Sequence, residues 1–133
     1  MPVQFLNPDT MMKSPAFSQV VTTSGNGKTI YIGGQNSVNE KGEIIGKGDI
    51  AAQTEQVMLN IEKALAAAGA TFKDVIKMNI YITQGQDVRK GFEASQKYLG
   101  SNENPPIITA LFVAGMGNPD FLLEVEAIAF VGE

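Results

Sequence analysis

Neither cysteine nor histidine occurs in the 133 residues. Without cysteine there is no disulfide frame, no thiolate nucleophile and no sulfur ligand for a metal. Without histidine the chain lacks the commonest general base near neutral pH and the commonest transition-metal ligand, so neither a metal site nor a cofactor is expected. Basic residues are few and scattered. Ten Lys and Arg against fourteen Asp and Glu give a formal charge of −4. Nucleic-acid affinity comes mainly from neutralising phosphates, and no cationic cluster is present to do so; nucleic acid is not an expected partner. No run reaches the roughly 18 apolar residues that a membrane span needs, and Met1-Pro2-Val3-Gln4-Phe5 lacks the basic flank and long apolar core of a leader. A soluble, cytoplasmic protein without membrane association is the expectation. What remains is ordinary globular material, 44% hydrophobic and 18% charged, in one domain over 1–133.

Two apolar runs near the C-terminus dominate the pattern. Ile107 to Val113 follows Pro105-Pro106, and Phe121 to Val131 follows the turn-rich stretch Ala114 to Asp120. They read as two strands paired through that loop. The first run is apolar except for Thr109, as in strands covered on both sides by helices or by another subunit. In the second, Glu124 and Glu126 stand at i and i+2 and so share one face of an apolar strand. They are either a solvated sheet edge or the polar floor of a pocket.

Upstream, Phe17 to Thr23 and Lys28 to Ile32 flank Ser24-Gly25-Asn26-Gly27, a hairpin signal. Gly33-Gly34 then marks a bulge or a close approach to the backbone, and Glu43-Ile44-Ile45 reads as a brief strand. Asp49 caps a helix whose apolar face carries Ile50, Thr54, Val57, Met58, Ile61, Leu65 and Ala68. Gln53, Glu55, Gln56, Glu62 and Lys63 fall largely on the other side, and Gly69 ends the helix. Val75 to Thr83 alternates, with Ile76, Met78, Ile80 and Ile82 on one face and Lys77, Asn79, Tyr81 and Thr83 on the other. A second helix starts near Asp87 and stops before Gly100. Gly91 inside it costs about 1 kcal/mol relative to Ala, which points to a close helix contact. Two helices among several strands predict an α+β fold with both helices on one face of a single mixed sheet, and the uncovered face invites a closed homo-oligomer.

This order of elements, with Ile32-Gly33-Gly34-Gln35 followed by Val38-Asn39, Ala51-Ala52-Gln53 opening the helix, Val75-Ile76-Lys77, and the closing Glu124-Val125-Glu126-Ala127-Ile128-Ala129, resembles the Rid (YjgF) family over nearly the whole chain. The resemblance implies a chorismate-mutase-like, YjgF-like α+β fold. It further implies a homotrimer with a central barrel and small-molecule clefts between subunits. In well-understood members the implied activity is hydrolysis of 2-imino or 2-enamino acids. There a glutamate on the last strand positions water, a glycine after an early strand lends backbone contacts, and an arginine holds the ligand carboxylate.

Glu124 matches that glutamate, as the candidate catalytic residue, and Gly34 matches that glycine. Phe17 falls where a tyrosine is common. The arginine is missing. Counting from Val113-Ala114 puts Ile108 in its place, a shift of one gives Ile107, and the same-face neighbours Ala110 and Phe112 are apolar. Phe17, Gly34, Ile108 and Ala110 are thus the expected ligand-binding set. Losing a bidentate arginine–carboxylate contact should leave a pocket for neutral or cationic, more apolar ligands. The expected function is hydrolysis of such an imine, enamine or related C–N bond. The alternative is a trimer that binds a ligand or partner without catalysis, and a further one is an endoribonuclease or translation inhibitor, against which the missing histidine and the negative charge both count.

Overall fold

The computed structural model describes residues 2–100 and 102–133. In chain order the elements are β1 (Val3–Leu6), β2 (Val20–Thr23), β3 (Gly27–Gln35), α1 (Ile50–Ala67), β4 (Val75–Thr83), α2 (Val88–Leu99), β5 (Ile107–Val113) and β6 (Leu123–Gly132), with a 3-10 turn at Phe72–Asp74 before β4. Four strands form one mixed sheet in the order β3-β6-β4-β5, and β1 and β2 form a separate two-stranded ribbon. β6 is antiparallel to both of its neighbours, whereas β4 and β5 are parallel. A parallel pair needs a crossover, and α2 supplies it.

Two expected pairings are replaced, and one expected strand is reduced. β5 and β6 do not form a hairpin, because β4 lies between them. The stretch 114–120 crosses one intervening strand, a span of roughly 10 Å at the usual strand spacing, instead of folding back. The turn at Ser24–Gly27 also joins strands of different sheets: β2 pairs with β1, and β3 pairs with β6. The competitor is Val3–Leu6, a short strand that draws Val20–Thr23 away. Glu43-Ile44-Ile45 shrinks to a single bridge between Val38 and Ile44.

The helices form as their spacing predicts. Asp49 accepts a hydrogen bond from the Ala52 amide at 3.1 Å. Gly69, just beyond the end of α1, takes the left-handed φ of 78° that suits glycine there. Val57, Met58, Ile61 and Leu65 are buried against Val125, Ala127 and Ala129 of β6 and Ile30 and Ile32 of β3. Each such aliphatic side chain contributes about 1.5–3 kcal/mol. Asp87 caps α2, and Gly91 lies over Ile50 and Thr54 of α1, the helix contact anticipated from the sequence. In β4 the alternation breaks at its start, where a register shift lies between Val75 and Lys77. Val75 and Met78 therefore both enter the core, and Ile76 instead lines a small surface pocket with Val3, Phe5 and Phe130.

Gln53 departs from its expected position on the solvent side of α1, for it has no exposed surface at all. Its Nε2 donates to the carbonyls of Gly46 (3.1 Å) and Asp120 (2.9 Å), and its Oε1 accepts from the Leu122 amide at 2.9 Å. One amide side chain thereby ties the loop before α1 to the entry of β6, saturating its own hydrogen-bonding groups. Replacing Gln53 by Ala removes the partner of the Asp120 carbonyl and of the Leu122 amide, while the Gly46 carbonyl keeps its bond from the Asp49 amide. The expected loss is about 2–4 kcal/mol of unfolding free energy in equilibrium urea titration, at about 1 kcal/mol per hydrogen bond plus the cost of unpaired groups. A loss within the scatter of surface substitutions would show that solvent replaces the clamp.

Candidate functional site

Because β6 alternates, Leu123, Val125, Ala127 and Ala129 are buried toward the helices, and Glu124 and Glu126 project from the opposite face. On that open face the cross-strand register sets Tyr81 against Glu124 and Asn79 against Glu126. On the far side of β4, Thr109 lies against Asn79 and Leu111 against Tyr81.

Gly33-Gly34 satisfies both readings of its glycines. Ile32 pairs with Ala127 and Gln35 with Val125, so Gly33 and Gly34 together stand opposite Glu126 alone, a bulge. The bulge carries Gly34 against the carboxylate of Glu124, and a methyl group on Gly34 would collide with that carboxylate. Just beyond the bulge, Asn36 Nδ2 donates to the Leu123 carbonyl at 3.1 Å and to Glu124 Oε1 at 3.3 Å. Asn36 is itself held from α1. Asn60 Nδ2 donates to the carbonyls of Asn36 (3.2 Å) and Val38 (2.9 Å), and Gln56 Nε2 donates to Asn60 Oδ1 at 2.9 Å. The sequence singles out Gly34 and Glu124; it gives no sign of Asn36, whose part depends on where the bulge aims the chain.

Ile108 and Ala110 lie elsewhere. Ile108 pairs with the core residue Met78 and Ala110 with Ile80, so both face the helices rather than Glu124. With Phe17 they line a cleft between α2 and the sheet. The expected set therefore divides across the sheet, with Gly34 and Glu124 on the open face and Phe17, Ile108 and Ala110 on the helical side. The reason is the parallel register of β5 on β4, which puts Ile107, Thr109, Leu111 and Val113 on the face of Glu124. Either set of β5 positions lacks a cation. Among the described residues no group of histidine, cysteine or acidic side chains could hold a metal ion, and no helix is long and apolar enough to cross a membrane.

Glu126 anchors the polar network of the open face. Its Oε1 accepts from Asn79 Nδ2 at 2.8 Å and from the Tyr81 hydroxyl at 3.0 Å. The Asn79 bond, then the Tyr81 bond, with a smaller pull from the Lys77 charge, hold its carboxyl below the ordinary value against the opposing effect of burial. The same bond to Glu126 pushes the Tyr81 phenol up. A carboxylate more acidic in the folded than in the unfolded chain adds stability that is complete above the ordinary value of 4.5 and is lost as pH falls through the lowered one. Removing its donor in Asn79→Leu should therefore flatten the acid limb of stability against pH and leave the slope near neutrality unchanged. Urea titrations at stepped pH measure this; an unaltered acid limb would show that Asn79 does not hold the charge.

Comparison with known proteins agrees with this architecture. A RutC family protein of Pyrococcus horikoshii is 41% identical over 105 residues, 78% of this chain and 80% of that protein. The human 2-iminobutanoate/2-iminopropanoate deaminase is 29% identical over 116 residues, 87% of this chain and 80% of that one. A Yersinia pestis structure of unknown function from the conserved Rid protein family superposes with a TM-score of 0.85 at 31% identity, covering 98% of this chain and 100% of its own. The family model described as Endoribonuclease L-PSP matches residues 10–131, and the chain belongs to that family, of which Rid and YjgF are other names.

Proposed function

We propose that this protein hydrolyses the carbon–nitrogen bond of a neutral or cationic imine or enamine, releasing ammonia, with Glu124 as the base that orients the attacking water. The observation that carries this reading is the placement of one carboxylate. Glu124 lies over a glycine that leaves it room, its Oε1 is fixed by Asn36, and Oε2 accepts no hydrogen bond from the described residues. That free oxygen suits a water molecule. As the water oxygen bonds to the imine carbon, its proton passes to Glu124 and the π pair moves to nitrogen, which takes up a proton. That first proton on nitrogen comes from solvent. Glu124 then gives the water's proton to the nitrogen as the C–N bond breaks, the oxygen lone pair forms the C=O bond, and the hydroxyl proton leaves to solvent, giving a carbonyl compound and ammonia.

Two relatives support the reaction class: the human deaminase above and the 3-aminoacrylate deaminase RutC of Acinetobacter baylyi, 27% identical over 88% of this chain and 90% of that protein. Both names specify carboxylate-bearing substrates. Here β5 offers such a substrate Ile107, Thr109, Leu111 and Val113 on the open face, and Glu124 and Glu126 repel it. The preference for neutral or cationic ligands follows. A phosphodiester would meet the same two carboxylates and no histidine, so cleavage of RNA is the less favoured reading of the family description.

The proposal includes a homotrimer with the ligand between subunits. Its support is the open face, where Tyr31 is 77% and Leu111 52% exposed in a single chain, and where the buried Asn79 Oδ1 lacks a hydrogen-bond partner. A neighbouring copy would cover the first two and satisfy the third. Light scattering at micromolar concentration should give three times the chain mass; a stable monomer would remove the inter-subunit cleft.

For the chemistry, 2-iminobutanoate made in situ by a threonine dehydratase should be turned over about 10- to 150-fold more slowly than by an arginine-bearing relative, the equivalent of one lost charge-assisted contact of about 1.5–3 kcal/mol. Thr109→Arg places a guanidinium on the face of Glu124 and should recover part of that rate. Ile108→Arg points the charge at the helices and should lower stability without gain. With an uncharged imine, Glu124→Gln should lower ammonia release by about 10²- to 10⁴-fold, the usual range for a positioned base. Unchanged release would leave a ligand-binding trimer in place of an enzyme, and wild-type turnover of 2-iminobutanoate equal to the relative's would end the argument from the missing arginine.

A further inference from the structure

We propose that Asn26 is a site of spontaneous deamidation in the folded protein, and that its isoaspartyl product unpairs the end of the sheet where β3 begins and β6 ends. Asn26 is the one asparagine of the chain followed by glycine. Deamidation starts when the backbone nitrogen of the next residue attacks the asparagine Cγ, and a glycine, having no Cβ, leaves that approach open. Asn26 is exposed and lies in a bend between β2 and β3. Among the described residues it is held only through its backbone carbonyl, which accepts from the Glu133 amide at 3.2 Å. That bond settles where the nucleophile points. With the Asn26 carbonyl bonded to Glu133, Gly27 and Gly132 form a non-hydrogen-bonded pair of the antiparallel ladder, so the Gly27 N–H turns away from β6 toward the outer edge of β3.

The fold itself keeps this dipeptide reactive. A Cβ on Gly27 would overlap the ring of the buried Phe130, so no larger residue can stand there to shield Asn26 without displacing that ring. Asn36, followed by the small Ser37, shows the opposite arrangement. Its Nδ2 is held by the Leu123 carbonyl and by Glu124, and Ser37 has no exposed surface. The reaction at Asn26 balances with water alone. Hydroxide takes the Gly27 amide proton, the nitrogen pair forms a bond to Cγ, and the Cγ–Nδ2 bond breaks as ammonia leaves with a proton from water, which regenerates the hydroxide. Water then opens the cyclic imide. Breaking the bond from the Gly27 nitrogen to Cγ gives aspartate. Breaking its bond to the backbone carbonyl carbon gives isoaspartate, whose main chain runs through one extra carbon and whose former carbonyl is a carboxylate beside Glu133. The acceptor of the Glu133 amide then no longer belongs to the main chain, and the added carbon cannot keep Gly27 opposite Gly132 while the rest of β3 holds its register.

Incubating the folded protein in mildly alkaline buffer, followed by peptide mapping in a mass spectrometer, tests the site without any assumption about catalysis. Methyl transfer from S-adenosylmethionine by an isoaspartyl methyltransferase counts the isoaspartate formed. Asn26 should convert before any other asparagine, at a rate proportional to hydroxide. That rate should lie within about threefold of the rate in the urea-unfolded chain, because a segment that opens at almost no free-energy cost reacts as the unfolded chain does. Asn26→Gln, whose longer side chain must close a less favourable ring, should remove the early conversion and the methyl acceptor. In isoaspartyl protein separated by ion exchange, the Val131 amide, paired with Lys28 next to the altered position, should exchange its hydrogen about tenfold or more faster than in fresh protein, and the amides of α1 at an unchanged rate. Slow conversion in the folded protein beside rapid conversion in urea would show that the fold shields Asn26, and earlier conversion of Asn36 would show that the exposed bend does not direct the reaction. Unchanged exchange at Val131 would show that the sheet absorbs the extra carbon. Each of these results overturns the proposal.

Discussion

The strand β6 is hydrogen-bonded along both edges, and nearly everything else is positioned by that fact. β3 pairs on one side and β4 on the other, so its backbone groups are consumed in the ladder and its side chains alone decide what each face presents. Leu123, Val125, Ala127 and Ala129 turn toward α1, where two alanines let the helix come close, and Glu124 and Glu126 turn away. A slip of one residue would drive both carboxylates into the core, at a cost far above the stability of a domain of this size. Register is thus fixed by the same alternation that creates the site.

The sheet then separates two kinds of chemistry. Its helical side is apolar and incompletely filled, because α2 is secured to α1 rather than to the strands. Its open side is polar and ordered, with Asn79 and Tyr81 committed to Glu126, while Glu124 is held by one side chain only. The two adjacent carboxylates therefore differ in role although they differ little in sequence setting. Glu126 accepts two side-chain bonds that hold its carboxyl below the ordinary value; Glu124 keeps one oxygen without a donor among the described residues, as its proposed role requires. Polar residues of α1 support both ends of this arrangement, Gln53 by clamping the entry of β6 and Asn60 by bracing the loop that carries Asn36.

Sequence alone determined what depends on neighbours along the chain: α1 with its Asp49 cap, α2 from near Asp87, the bounds of β4, the bulge at Gly33-Gly34 and the shared face of Glu124 and Glu126. These rest on periods of 3.6 and 2 and on backbone preferences that local residues fix. Partners across the sheet were decided only in three dimensions. Nothing local to Ile107–Val113 says that β4 will lie between it and β6, and nothing in Val20–Thr23 says that Val3–Leu6 will outcompete Lys28–Ile32, because strand pairing is settled by contacts distant in sequence. The same holds for Gln53, polar by composition yet buried because three backbone groups from distant loops converge on it. It holds as well for Ile108 and Ala110, whose face follows from the register of β5 on β4, a choice that an apolar strand without alternation leaves entirely to the tertiary structure.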